Sequence, residues 1–162
     1  MLQAPHAAWL DVAGSAITIF GQSEVVGTIA LGVAIVRRGA GRADWWVPLA
    51  VAAVVAVELA LKLTIAQAPP PRELSRSVAL IPFIESPVRN AFPSGHLARV
   101  AFLVTALRWP GWTAAVAVLL MAITRIYLAE HWPSDVLGGW LLGYGVATIA
   151  VASSSAGGRA AQ

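Results

Sequence analysis

No cysteine occurs anywhere in the chain, which excludes disulfides, thiol nucleophiles and thiolate metal sites at once. Charge is scarce too: 12% of the 162 residues are charged against 58% hydrophobic, with a mean hydropathy of +0.73. A soluble domain of this length does not carry so little charge, so the chain is expected to be integral to a membrane. The net charge of +3 and pI near 10.2 come from basic residues scattered between apolar segments. With no basic run or stripe, nucleic acid is not expected as a partner. A carboxylate cluster is also lacking, since Glu73, Glu85 and Glu130 are spread through polar stretches, so neither a metal nor another cofactor is expected. Met1–His6 has no basic region of the kind that opens a signal peptide, and the first apolar segment is therefore expected to be retained.

What is present is a series of apolar segments punctuated by Gly, Pro and Arg. Residues 5–20, with Trp9 and Asp11 among small apolar residues, read as a short interfacial helix. Gly21-Gln-Ser-Glu24 separates it from a first span near Ser23–Val36, and the competing reading is a single kinked span from Trp9 to Val36. Arg37, Arg38 and Arg42 close that span. Trp45 and Trp46 then sit where indoles prefer the interface, and Val47–Ala66 supply a second span with Glu58 and Lys62 one helical turn apart. Residues 67–93 form a long outer loop with Pro69-Pro-Pro71, Arg72, Arg76 and Arg89. Its apolar patch Val78–Ile84 reads equally as a guide for lipid chains or as a plug over helix ends. Further spans follow at Ser94–Leu107, then, returning after the tight turn Arg108-Trp-Pro-Gly-Trp112, up to Leu128, and at Pro133–Ser153, where Gly138, Gly139 and Gly143 permit close helix approach. The fold class is thus all-α: one transmembrane domain over residues 1–153, a bundle of five spans preceded by an interfacial helix, with a disordered cytoplasmic tail at 154–162.

Ionisable groups stand out against this background because each is costly in a bilayer and is a functional candidate by default. The densest group is Thr124-Arg-Ile-Tyr-Leu-Ala-Glu-His-Trp-Pro-Ser-Asp135, at the junction of the last two spans. With Pro133 in the first turn of the last helix, Asp135 lies one turn from His131 and holds one ring nitrogen, leaving the other free as a nucleophile. A second group, Pro93-Ser-Gly-His96, precedes an apolar run, with Ser94 as a helix cap and Gly95 offering an unshielded N–H to an anion. Alternating spans bring Lys62, Arg72, Ser94, His96, Arg125, His131 and Asp135 to one membrane face. Arg37, Arg38, Arg42, Arg108 and Arg159 fall on the other, which predicts a plasma-membrane protein whose site faces the periplasm or exterior. His6 reads as a surface residue, and Arg99 as snorkelling to headgroups, with a second phosphate as its alternative partner.

At these residues the chain resembles the type 2 phosphatidic acid phosphatase superfamily of membrane lipid phosphatases, whose motifs are Lys-x6-Arg-Pro, Pro-Ser-Gly-His and Ser-Arg-x5-His-x3-Asp. The second is complete, and the third departs by Thr124 for Ser. The first keeps Lys62 but has Pro69-Pro70 where Arg-Pro is expected, with Arg72 the nearest substitute and Arg76 and Arg89 behind it. The resemblance spans about Trp46 to Ser153 and implies hydrolysis of a lipid phosphate or diphosphate through a phosphohistidine. It implies His131 as nucleophile, Asp135 as its orienting partner and His96 as acid. Lys62, Arg72, Ser94, Gly95 and Arg125 are then the phosphate holders. A phosphotransferase of the same superfamily and a non-catalytic lipid-phosphate carrier are the alternatives. The carrier has no need of a His-x3-Asp pair beside a second histidine.

Overall fold

Helix α4 (Gly95–Ala106) is the axis about which the other elements pack. In the computed structural model, which describes residues 7–81 and 90–160, ten of its twelve residues are buried. Preceding it are α1 (Ala8–Thr18), a 3-10 turn at Ile19–Gly21, α2 (Ser23–Gly39) and α3 (Val51–Thr64), the last introduced by a 3-10 turn at Val47–Ala50. A further 3-10 turn at Arg72–Leu74 interrupts the stretch between α3 and α4, and α5 (Gly111–Tyr127) and α6 (Pro133–Ala160) follow. Every regular element among the described residues is helical.

Helix α6 makes the most extensive packing with α4, and the sequence shows how. A Cβ at Gly139 would run into the carbonyl of Ser94, and one at Gly143 into the carbonyl of Ala98 and the amide of Phe102, so two backbones touch where side chains would hold them apart. Close approach of this kind is what drives helix association in lipid, where apolar burial supplies no force between helices. Phe102, Ala98, Val26, Val54 and Ala147 close one core, shared by α2, α3, α4 and α6. Leu97, Val100, Met121 and Val136 close a second core beneath α5.

The outer surface is apolar: Leu31, Ile35, Leu119, Ile123, Leu141 and Ile149 are all exposed, an arrangement suited to lipid. Two helical stretches are long and apolar enough to cross a membrane among the described residues, Val47–Thr64 and Pro133–Gly157. A third results if α1 and α2, bent by 45° at Gln22, count as one broken span. Helices occupy the five stretches expected to span, but only two or three of them reach spanning length among the described residues, and α4, at 12 residues, is about 18 Å long against a hydrocarbon core of about 30 Å. It can be short because the surrounding helices shield it from lipid. Helix α1 packs along α5 and turns into α2 at Gly21, so its place is beside the bundle and joined to it.

Two expectations are corrected. The tail expected to be disordered beyond Ser153 continues α6 to Ala160, consistent with its alanines and with the Ser155 hydroxyl donating to the Val151 carbonyl at 3.0 Å. Ser94 occupies the N-cap position of α4 without capping it, because its hydroxyl makes no hydrogen bond to the helix. His6, Glu85, Arg89 and the end of the apolar patch, residues 82–84, lie outside the described residues.

Gly143 and Gly145 make a paired test of the α4–α6 contact. Gly145 has open space around its Cα. Gly143→Ala is expected to lose at least 1–3 kcal/mol, roughly the cost of overpacking against a backbone that cannot yield. Gly145→Ala is expected to hold or gain up to about 1 kcal/mol from helix propensity. Thermal unfolding of both variants in detergent measures the difference.

Candidate active site

Two helix ends and two helix starts meet at one end of the bundle. The last turn of α3 carries Lys62, the first turn of α4 carries Gly95 and His96, the last turn of α5 carries Arg125, and the first turn of α6 carries Asp135. A backbone hydrogen bond locks the two helix starts together, the Ser94 N–H donating to the Asp135 carbonyl at 2.9 Å. His131 stands in the short α5–α6 connection, which turns back at Ala129 with a left-handed φ of 54°. The His131 and Glu130 amides both donate to the Arg125 carbonyl, so the connection is folded onto the end of α5.

Asp135 is completely buried and held on three sides. Its Oδ1 accepts from the Gln67 side-chain amide at 2.6 Å, its Oδ2 accepts from the Trp132 N–H at 2.9 Å, and His131 Nδ1 stands 3.4 Å from Oδ2. The last is a close contact at the expected one-turn spacing, outside hydrogen-bond geometry. Nδ1 thus faces the carboxylate and Nε2 is the nitrogen left for other chemistry. Gln67 was not a candidate on sequence. Its amide crosses from the α3–α4 stretch to fix the acid that fixes His131.

Lys62 pairs with Glu58 at 3.4 Å, as their spacing predicts, and its carbonyl accepts from the Asn90 side chain at 2.7 Å. Arg125 pairs with Glu130 at 3.7 Å. Glu130 in turn accepts from the hydroxyls of Ser75 and Ser77, so it is a counter-ion and an anchor for the loop before α4, a role that no spacing in the sequence signals. Burial pushes the Glu130 carboxyl up, and the Ser77 hydrogen bond, the Arg125 charge and the Ser75 hydrogen bond more than offset this, leaving it below its ordinary value. Arg99 does not snorkel: it is 7% exposed, with Nη1 on Glu58 at 2.6 Å and Nε on the Gly21 carbonyl at 2.8 Å. Gly95 has a second reason to be glycine, since a Cβ there would overlap the Glu58 carboxylate.

These residues border a cavity of about 1520 Å³. Lys62, Gly95, His96, Arg125 and His131 line its polar end, and Ile19, Val55, Leu59, Leu80 and Ile81 its apolar wall. Arg72 also lines it, from an exposed position. Arg76 is directed elsewhere, its guanidinium lying 5.2 Å over the Tyr127 ring. Four buried polar atoms at this junction have no hydrogen-bond partner among the described residues: Ser94 Oγ, His96 Nε2, Arg125 Nε and His131 Nδ1. Each such atom costs about 1–3 kcal/mol, and a site that concentrates them is suited to an anion rich in acceptor oxygens.

Comparison with known proteins points the same way. Residues 43–158 match the model of the PAP2 superfamily. An undecaprenyl-diphosphatase of Sulfolobus acidocaldarius is 33% identical over 76 residues, 44% of this chain and 37% of the relative, so the similarity spans a little over a third of the relative's length. Two crystal structures share the fold at 22% identity each. The PAP2-type phosphatidylglycerolphosphate phosphatase of Bacillus subtilis has a TM-score of 0.73 and covers 95% of this chain and 81% of its own. LpxE of Aquifex aeolicus has a TM-score of 0.69, with 93% and 90% covered.

The histidine beside Asp135 yields a direct test. Burial lowers the His131 imidazole from its ordinary range, Asp135 raises it in part, and the Arg125 and Lys62 charges lower it further. The ring is therefore neutral at pH 7. Asp135→Asn removes the opposing charge, so the His131 midpoint is expected to move further down, read from the nitrogen chemical shifts of labelled histidine. An upward shift would show that the carboxylate does not act on the ring.

Proposed function

Because the chain belongs to the PAP2 superfamily, we propose that it is a membrane lipid phosphatase that removes the terminal phosphate of a polyprenyl diphosphate or glycerolipid phosphate. The observation that carries this reading is the set of unpartnered buried donors, Ser94 Oγ, His96 Nε2 and Arg125 Nε, gathered beside the His131–Asp135 pair. Phosphoryl transfer asks for a nucleophile, a proton for the leaving oxygen and positive charge around the equatorial oxygens, and the site contains each.

In the proposed reaction His131 Nε2 attacks phosphorus in line, and the bond to the lipid oxygen breaks as His96 donates its proton to that oxygen. The product is a phosphohistidine, with Asp135 balancing the charge that develops on the ring. Water then attacks phosphorus, His96 takes the water's proton, and the P–N bond breaks to release inorganic phosphate and neutral His131. Lys62, Arg72, Arg125, the Ser94 hydroxyl and the Gly95 amide hold the oxyanion, so that the chemistry runs without a metal. The apolar wall of Ile19, Val55 and Leu59 suits an acyl or prenyl chain. The basic end with Arg37, Arg38, Arg42 and Arg108 lies away from the site, and the positive-inside tendency then directs the site to the periplasm or exterior of the plasma membrane.

Arg72 takes the place left by Pro69. It lines the cavity where Arg76 stacks on Tyr127, and Pro69-Pro-Pro71 forms a stiff approach to it.

Purified protein is expected to release phosphate from lipid phosphates equally with and without EDTA, and vanadate is expected to inhibit. His131→Ala and Asp135→Asn should each lose roughly 100-fold or more in activity while remaining folded. Activity within threefold of wild type in either variant would sink the phosphohistidine route. Arg72→Ala is expected to lower kcat/KM by about 2–4 kcal/mol of transition-state stabilisation, with Arg76→Ala costing far less. Equal losses in these two variants would remove Arg72 from the site.

A further inference from the structure

The proposed reaction leaves two buried charged groups at the site unused, Glu58 and Arg99. Glu58, Lys62 and Arg99 form a triad between α3 and α4, with Glu58 bridging the two cations at 3.4 and 2.6 Å. All three side chains are nine-tenths buried or nearly so and line the same cavity as His96. Burying three charges at this depth costs several kcal/mol unless the arrangement serves a ligand or a tightly matched network. Glu58 meets two cations, and the Glu24 carboxylate on α2 also acts on Arg99. Arg99 is hydrogen-bonded through Nε to the Gly21 carbonyl and through Nη1 to Glu58, with Nη2 outside both bonds.

Depth orders the cavity. His131 and Arg125 lie at the bundle end, with His96 in the first turn of α4. Arg99 is three residues further along α4, about 4.5 Å deeper, at the level of Glu58 on α3. Val55, three residues before Glu58, marks the next turn down and is apolar. Lys62 and Arg125 act on both histidines, and Arg99 acts on His96 and on Arg125. Arg99 therefore stands about one turn deeper along α4 than His96, within the same cavity. Glu24 also lines the cavity, and its charge acts on Arg99 together with that of Glu58.

We propose that Arg99, oriented by Glu58 and the Gly21 carbonyl, binds the leaving phosphate of a lipid diphosphate and makes the enzyme select diphosphates over monophosphates. This rests on the phosphatase reading above and narrows its substrate. In a diphosphate the terminal phosphorus meets His131, the bridging oxygen meets His96, the second phosphate meets Arg99 and the prenyl chain meets the apolar wall. When the bridge breaks, His96 protonates the lipid monophosphate, and water completes the release of inorganic phosphate from His131. A phosphate monoester of glycerol would place neutral carbon against the charged triad, which gains nothing from it.

The test is phosphate release in detergent from farnesyl diphosphate, farnesyl monophosphate and dioleoyl phosphatidate by the wild-type protein, Arg99→Gln and Arg99→Lys. Wild type is expected to favour the diphosphate over the monophosphate with the same tail by at least about tenfold in kcat/KM. Arg99→Gln should reduce that ratio by roughly 10–100-fold, as for loss of a charge-assisted hydrogen bond, and Arg99→Lys should restore part of it. A ratio unchanged within threefold, or a fall in both substrates alike, overturns the assignment. So does wild-type release from the monophosphates alone, which leaves the phosphatase reading intact. Release from none of the three substrates removes both. If Arg99→Gln does not run as folded protein on size exclusion, competition in the wild type decides instead. A farnesyl methylenebisphosphonate is expected to inhibit at least tenfold more tightly than a farnesyl phosphonate, and equal inhibition overturns the proposal.

Discussion

The contact between the backbones of α4 and α6 is the constraint on which the site depends. With Gly139 beneath the Ser94 carbonyl and Gly143 beneath that of Ala98, the two helices approach closely enough for the Ser94 amide to donate to the Asp135 carbonyl. That register places the start of α4, with Gly95 and His96, beside the start of α6, with Asp135 and the connection that bears His131. A side chain at either glycine would part the helices by ångströms, and catalytic geometry tolerates little more than a few tenths of one. Helix packing in this protein is therefore already active-site geometry.

Charge is distributed with the same economy. The cations at the polar end are not simply held near one another. Arg125 is paired with Glu130 and Lys62 with Glu58, so each has a partner that fixes its position without satisfying all of its donors. A cation paired on one side alone is oriented in advance and still has hydrogen bonds to offer, which is the condition for electrostatic preorganisation. Glu130 extends this to the chain before α4, because the hydroxyls of Ser75 and Ser77 bind the same carboxylate that balances Arg125.

Much of this was legible in the sequence because it is local. The His131–Asp135 and Glu58–Lys62 spacings are each one helical turn, and the glycines of α6 fall four residues apart at 139 and 143. Such relations need no knowledge of the fold beyond the helix itself. What was not legible joins residues far apart in the chain: Gln67 to Asp135, Glu130 to Ser75 and Ser77, and the Gly21 carbonyl to Arg99. Gln and Ser occur in any loop, and a backbone carbonyl carries no signature at all. Arg99 was misjudged for a related reason, since an arginine in an apolar helix ordinarily snorkels, and only the arrival of Glu58 from another helix turns it inward. Apolar length also misleads about crossing number, because a helix surrounded by its neighbours, as α4 is, has no hydrocarbon thickness to match.

The break between α1 and α2 gives the site a wall from outside the segment that the family model matches. Gly21 lies before residue 43, where the family match begins, yet a Cβ on it would meet the side chain and Cα of His96, and its carbonyl is one of two anchors for Arg99. The site accordingly draws on more of the chain than the family model matches, and the two crystal structures share the fold over 95% and 93% of it. In the proposed reaction the matched segment supplies the reacting groups, and the N-terminal helices supply one face of the chamber around them. Two members of the superfamily with identical motifs can thus differ in what they accept through a stretch of chain that no motif covers. A graft of the motif-bearing helices onto another N-terminal pair would carry Arg99 and Glu58 across and leave behind the Gly21 carbonyl that holds Arg99 Nε.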